Sequence, residues 1–260
     1  MFKKYVPLFL AVTTIICGCS FSTKNNKKLI ASNLETFLFD KEAEFLEPEI
    51  DKIAANLKAN HSFALYFTNE GCSDCENFKP IATSYLKESK MMIYKFDVEV
   101  NREQLQQFNA LYGDRFFSKN DSGTFVISAP MFCVISENNI DWIKKESYMK
   151  TYDAFKNHLN SKYRVDNLYY GEGNVPSLEY VNKEFTYISY NQNDESLNNL
   201  FKDKISPLLN ESSKKIIISN NPHENQINLK ITGKTISKPY IRDQIIVNSE
   251  TPVEIIKTYL

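Results

Sequence analysis

The order of apolar segments predicts an α/β protein: a central mixed sheet flanked by helices over residues 31–164, then a smaller α/β unit over residues 178–260. Three observations carry this expectation. Between Phe63 and Tyr163, strand-like and helix-like runs follow in the order β-α-β-α-β-β-α, a crossover pair leading into a hairpin and a closing helix. With 260 residues the chain is long enough for one good core and a second unit. After Tyr163, Gly171, Gly173 and Pro176 give the composition of a boundary, which marks residues 165–177 as a linker.

Each element has its own signal. Residues 29–46 mix apolar and acidic side chains and specify only a short strand or helix near Glu35 to Phe39. Pro48 precedes a helical face of Ile50, Ile53, Ala54 and Leu57. Phe63 to Thr68 is almost unbroken in its apolar character, as a strand covered on both faces requires. From Cys75, Phe78, Ile81, Ala82, Tyr85 and Leu86 recur at helical spacing, and Met91 to Val98 reads as the next strand. Arg102 to Tyr112 is helical through Leu105, Phe108 and Leu111, and a polar loop spans 113–123. Thr124 to Ile127 is extended, and Met131 to Ile135 with Ile140 to Ile143 forms a hairpin about Glu137-Asn138-Asn139. Thr151 to Tyr163 is a helix with Tyr152, Phe155 and Leu159 on one side. Further on, Glu184 to Tyr190, Lys215 to Ser219, Ile227 to Ile231 and Gln244 to Val247 read as strands, with helices at 197–209 and 253–260. The run Phe185 to Asn191 echoes Phe63 to Asn69, so the second unit is either a generic small α/β domain or a degenerate copy of the first.

Composition is that of an ordinary globular protein, with 42% apolar and 24% charged residues. The near-neutral balance, 31 basic against 32 acidic residues, has no clustered basic face and excludes a nucleic-acid partner from the reading. At the N-terminus Lys3 and Lys4 precede an apolar stretch, Val6 to Ile16, too short to span a bilayer comfortably. Ile16-Cys17-Gly18-Cys19 follows and resembles a bacterial lipobox, against the plainer reading of a secretory signal with an incidental cysteine. The resemblance implies a signal peptide at 1–18, lipid attachment at Cys19 and a polar tether at 19–30. The expected location is the extracytoplasmic side of the cell membrane, where two or three acyl chains hold a protein stably.

This address leaves Cys72, Cys75 and Cys133, one C-x-x-C pair and a single thiol, which is no structural disulfide framework. Zinc would need further ligands from Cys133, His61, His158 and His223, and no second paired motif supplies them; no metal or bound cofactor is expected. A bridge between residues three apart closes too small a loop to stabilise much. Redox use is the better reading. Cys133, in an apolar strand, reads as an inert core thiol.

With those residues in view, positions 48–163 resemble a thioredoxin fold. The apolar strand runs into Cys72-Ser73-Asp74-Cys75 at a helix start, Pro80 lies five residues on, and Ala129-Pro130 precedes an apolar strand. The segment Leu65 to Phe78 is also similar to the bacteriocin-transport-accessory branch of that superfamily. The resemblance implies that Cys72 attacks and Cys75 resolves, that Pro130 is cis and faces the sulfurs, and that Ala129 and Gly71 contact substrate. A helix N-terminus favours the attacking thiolate. Departures exist: Gly71 replaces the family's tryptophan, and its buried carboxylate gives way to an apolar environment near Tyr66, with Lys95 as a surviving lysine partner. Asp74 adds negative charge that opposes a strongly oxidising couple, so a reducing or intermediate couple is expected. The expected function is a membrane-anchored thiol–disulfide oxidoreductase acting on disulfides of exported proteins or peptides and re-reduced by a membrane thiol donor. The rival reading is a non-catalytic surface lipoprotein that uses the same fold for binding.

Overall fold

The computed structural model describes residues 27–137, 139–143, 146–172, 183–233 and 241–260. The signal segment 1–18, Cys19, most of the tether, and Gly173 and Pro176 of the linker lie outside the described residues. No helix among the described residues is long and apolar enough to cross a membrane.

The described chain opens with strand β1 (Lys28–Ser32), helix α1 (Leu34–Phe39) and helix α2 (Ile50–Lys58). Next come β2 (Phe63–Thr68), α3 (Ser73–Ser89), β3 (Ile93–Asp97), α4 (Arg102–Phe116), β4 (Met131–Ser136) and β5 (Asn139–Ile143). Helices α5 (Glu146–Met149) and α6 (Tyr152–Lys162) close this part. The sheet order is β3-β2-β4-β5, with β2 parallel to β3 and antiparallel to β4. Every residue of β2 is buried because both faces are covered. Successive side chains of a strand point to opposite faces. Ala64 and Tyr66 therefore pack with Phe78, Ala82 and Tyr85 of α3 and Phe155 of α6. Phe63, Leu65 and Phe67 pack with Ile53 and Leu57 of α2 and Phe108 of α4. The central strand is thus clamped between two helical layers, and its end is fixed where the cysteines begin.

A second sheet follows from β6 (Tyr163–Glu172), β7 (Thr186–Tyr190), β8 (Ile216–Asn220), β9 (Ile227–Thr232) and β10 (Ile241–Val247). Helices α7 (Glu195–Lys204), α8 (Ser206–Leu209) and α9 (Val253–Tyr259) pack on it. The strand order is β1-β6-β8-β7-β9-β10. Its last four strands repeat the first sheet: Ile188 faces Ile218 in a parallel neighbour and Leu229 in an antiparallel one, as Tyr66 faces Lys95 and Phe132. The echo at Phe185 to Asn191 therefore marks a second copy of the same strand plan. In place of a helix such as α4, residues 221–226 connect β8 directly to β9.

Two boundaries differ from the sequence expectation. The expected linker at 165–177 is strand through Glu172, because β6 pairs with β8 and buries Leu168 and Tyr169. The expected tether at 19–30 includes the start of β1, which pairs in parallel with β6 and buries Ile30 completely. The N-terminal strand thus belongs to the sheet of the second unit. It also touches the first, through the backbone bonds Ala31 N–H to Ser62 O and Met92 N–H to Ala31 O.

Candidate active site

The site begins where β2 ends. Asn69-Glu70-Gly71 reverses the chain, Cys72 N–H donates to Asn69 O at 3.4 Å, and Gly71 sits at φ +78°, a left-handed conformation that favours glycine. Gly71 is exposed at the mouth of the site. Cys72 is the N-cap of α3, with extended φ and ψ of −86° and 117°. Its sulfur accepts the Cys75 N–H at 3.3 Å, the role a serine or aspartate plays at an ordinary N-cap. One unsatisfied amide of the first helical turn is therefore aimed at the sulfur, together with the positive end of the helix.

From the other side, the Ala129–Pro130 peptide bond is cis, as the resemblance implies, and the Cys72 thiol donates to Ala129 O at 3.7 Å. Ala129 and Pro130 are both part-exposed, while Ser73 and Asp74 are exposed. Cys72 is half-buried and Cys75 is 1% exposed, and both are free thiols. Their different access matches different roles: one sulfur is open to a partner and the other lies behind it, one turn up the helix. Burial, then the contact with Cys72, pushes the Cys75 thiol up to about 11. Cys133 is fully buried opposite Leu65 in the sheet, and burial pushes its thiol up as well, which leaves it inert at neutral pH.

A cleft of about 870 Å³ opens beside Ala129-Pro130, with Phe78, Val126, Trp142 and Met149 as its apolar walls and Asp74 and Lys150 at its edge. This groove was not legible in the sequence: Trp142 comes from β5, Val126 from the loop before β4, and Met149 from α5. A second cleft of about 360 Å³ lies on the opposite flank of α3 and is lined by Tyr66, Thr68, Asn69 and Lys95. Pro80 stays inside α3, one turn beyond the cysteines, where it withholds one backbone donor from the helix. Among the described residues, no three His, Cys, Asp or Glu side chains are grouped to hold a metal ion.

The strand order, the dithiol at a helix start and the facing cis-proline define the class: an α/β protein with a thioredoxin fold. Neither a family model nor a curated protein sequence matches the chain. Solved structures do. A crystal structure of human ERp44 aligns over 84% of this chain and 56% of its own, at 10% identity and a TM-score of 0.33. The chain thus spans little more than half the length of that protein. The oxidised thioredoxin of Plasmodium falciparum aligns over 45% of this chain and 96% of its own, at 18% identity and a TM-score of 0.31. Thioredoxin of Trypanosoma brucei brucei aligns over 47% and 96%, at 10% identity and a TM-score of 0.33. These are likenesses of fold.

Proposed function

We propose that this protein is a membrane-anchored thiol–disulfide oxidoreductase that reduces or isomerises disulfides of exported proteins or peptides. The observation that carries the reading is the asymmetric pair: Cys72 half-buried at the start of α3 and against Ala129 O, Cys75 buried behind it. The Cys72 thiolate attacks one sulfur of a substrate disulfide, and the other sulfur leaves as a thiolate that takes up a proton. A mixed disulfide remains. Cys75 then loses its proton and attacks the Cys72 sulfur, releasing the second substrate thiol and leaving Cys72–Cys75 as the oxidised pair. Two electrons have passed to the substrate, so a membrane thiol donor must return them. The anchor is Cys19, whose lipobox-like context supports diacylglycerol attachment and an extracytoplasmic location. The similarity of Leu65 to Phe78 to the bacteriocin-transport-accessory branch favours a secreted peptide among the substrates.

An insulin-reduction assay tests the chemistry. Wild type accelerates precipitation of the insulin B chain under a dithiol donor, Cys72→Ser abolishes the effect, and Cys75→Ser accumulates the mixed disulfide. Equal rates for wild type and Cys72→Ser would leave the binding-lipoprotein reading, which the absence of a tryptophan at Gly71 favours. Incorporation of labelled fatty acid into wild type but not Cys19→Ser tests the anchor.

A further inference from the structure

Two clefts flank α3, an apolar one beside Pro130 and an acidic one on the other side. The acidic cleft, of about 360 Å³, gathers carboxylates from four separate stretches of chain: Glu44 and Glu47 before α2, Glu70 in the turn that precedes Cys72, Glu76 in α3 and Asp97 at the end of β3. With Glu42 its lining holds six carboxylates against three lysines. Glu42 is matched by Lys87 at 2.8 Å, whereas Glu44, Glu47, Glu70 and Glu76 are exposed and form no ion pair among the described residues.

A second signal comes from the walls. Tyr66 lines the cleft from β2, is 0% exposed, and its hydroxyl has no hydrogen-bond partner. Asn69 Oδ1, at the turn, is likewise buried and unpartnered. A buried acceptor without a donor costs free energy, so two of them beside a set of carboxylates call for a ligand rich in N–H groups. Among the described residues no three carboxylates are grouped to hold a metal ion. The complement is therefore an organic cation: lysine brings three donors and arginine five.

We propose that this cleft is a specificity subsite that takes a lysine or arginine side chain lying next to the target cysteine of the substrate. It rests on the redox reading of Cys72 and Cys75, whose substrates it narrows to basic peptides. Reach supports the assignment. Glu70 stands two residues before Cys72, and Glu76 stands one helical turn after it. A basic residue one or two positions from the substrate cysteine lies about 4–8 Å from it along the chain, and its flexible stem covers the rest. The apolar groove on the other flank takes hydrophobic residues of the same peptide. An acidic residue in the basic position meets like charge and is disfavoured.

The test uses the full-length reduced protein and short peptides with one cysteine blocked as a 2-thiopyridyl disulfide, flanked on both sides by arginine, glutamine or glutamate. The Cys72 thiolate bonds to the peptide sulfur, the bond to the thiopyridyl group breaks, and the released thiopyridone is followed by absorbance. Each rate is divided by that of the same peptide with mercaptoethanol, which removes the direct effect of its charges on the disulfide. The expected order is arginine, glutamine, glutamate, with arginine about tenfold ahead of glutamine at low ionic strength, the low end of what a charged cleft adds to an encounter rate. At 1 M salt, where screening acts within about 3 Å, the ratio falls below about twofold. Glu44→Gln with Glu47→Gln, both at exposed positions, brings the low-salt ratio to about threefold or less. Glu195→Gln with Glu254→Gln, on α7 and α9, removes equal charge elsewhere and keeps the ratio. A ratio near one in wild type, one that survives Glu44→Gln with Glu47→Gln, or one that falls equally in the control pair overturns the proposal and leaves the oxidoreductase reading standing. Release from every peptide no faster than with Cys72→Ser overturns both.

Discussion

Gly71 hands the chain from β2 to α3 at φ +78°, and a Cβ built there meets nothing within 4 Å. The requirement is therefore conformational and not one of space. Gly71→Ala should cost about 1–2 kcal/mol through left-handed backbone strain, read as a lower urea midpoint, while thiol exchange persists. His61 makes a second prediction at this scale. Its ring is buried, stacks on Tyr170 at 3.5 Å between centroids and meets Asn56 Oδ1 at 2.8 Å, and burial holds it down to about 3. The unfolded chain takes up a proton near the ordinary value of 6.5, and the folded one refuses it until about 3. Stability is therefore complete above that ordinary value and is lost as the pH falls below it. His61→Phe keeps a ring against Tyr170, and its urea midpoint should fall less than that of wild type between neutral pH and about pH 5. The cysteine spacing and Ala129-Pro130 were readable in the sequence because local motifs carry their own geometry. The groove beside them was not, because Val126, Trp142 and Met149 reach it from three separate stretches of chain.

Among the elements, the loop between α4 and β4 shapes the peptide-sized groove. Gly113 in α4 lets Phe125 lie on the helix, and a Cβ there would meet the Phe125 ring at 2.4 Å. Gly113→Ala should displace Phe125 and with it Val126, a wall of the groove. The expected outcome is weaker binding of a cystine peptide, several-fold by calorimetry, with unchanged alkylation of Cys72. β2 was legible because both of its faces are covered, which writes an unbroken apolar run. β6 was not, because Arg164, Asp166 and Asn167 interrupt it. The register against β1 shifts between Ile30 and Ser32, and Ser32 Oγ–H donates to Asp166 O across the irregularity. A strand with such a bulge loses the alternation by which strands are recognised.

Taken whole, the molecule repeats one strand plan and keeps the cysteines in only one copy. In the second copy, Asp194 caps α7 by accepting from Leu197 N–H, the place that Cys72 holds on α3. A plain N-cap there serves the helix without redox chemistry. The two copies share their joints: α6 runs without a gap into β6, and β1 lies against both. Leu29 packs with the second core and Ile30 with the first. Thermal unfolding should accordingly give one cooperative transition by calorimetry, with van't Hoff and calorimetric enthalpies in agreement. Two separated peaks would show that the joint is weaker than its contacts suggest. The repeat was only hinted at in the sequence, since α/β alternation looks alike in many folds and the second copy lacks the cysteines that would have flagged it.

The seat of β1 also orders events during synthesis. Its partner strand lies more than a hundred residues downstream, as the 134-residue span from Ser32 to Asp166 shows. This early strand is therefore among the last to be fully paired. Until β6 has emerged, the opening strand can reach only its backbone partners at Ser62 and Met92, and such distant pairing slows the final closure of the chain. A helper that shields that waiting segment would act on the newborn protein well before its thiols matter.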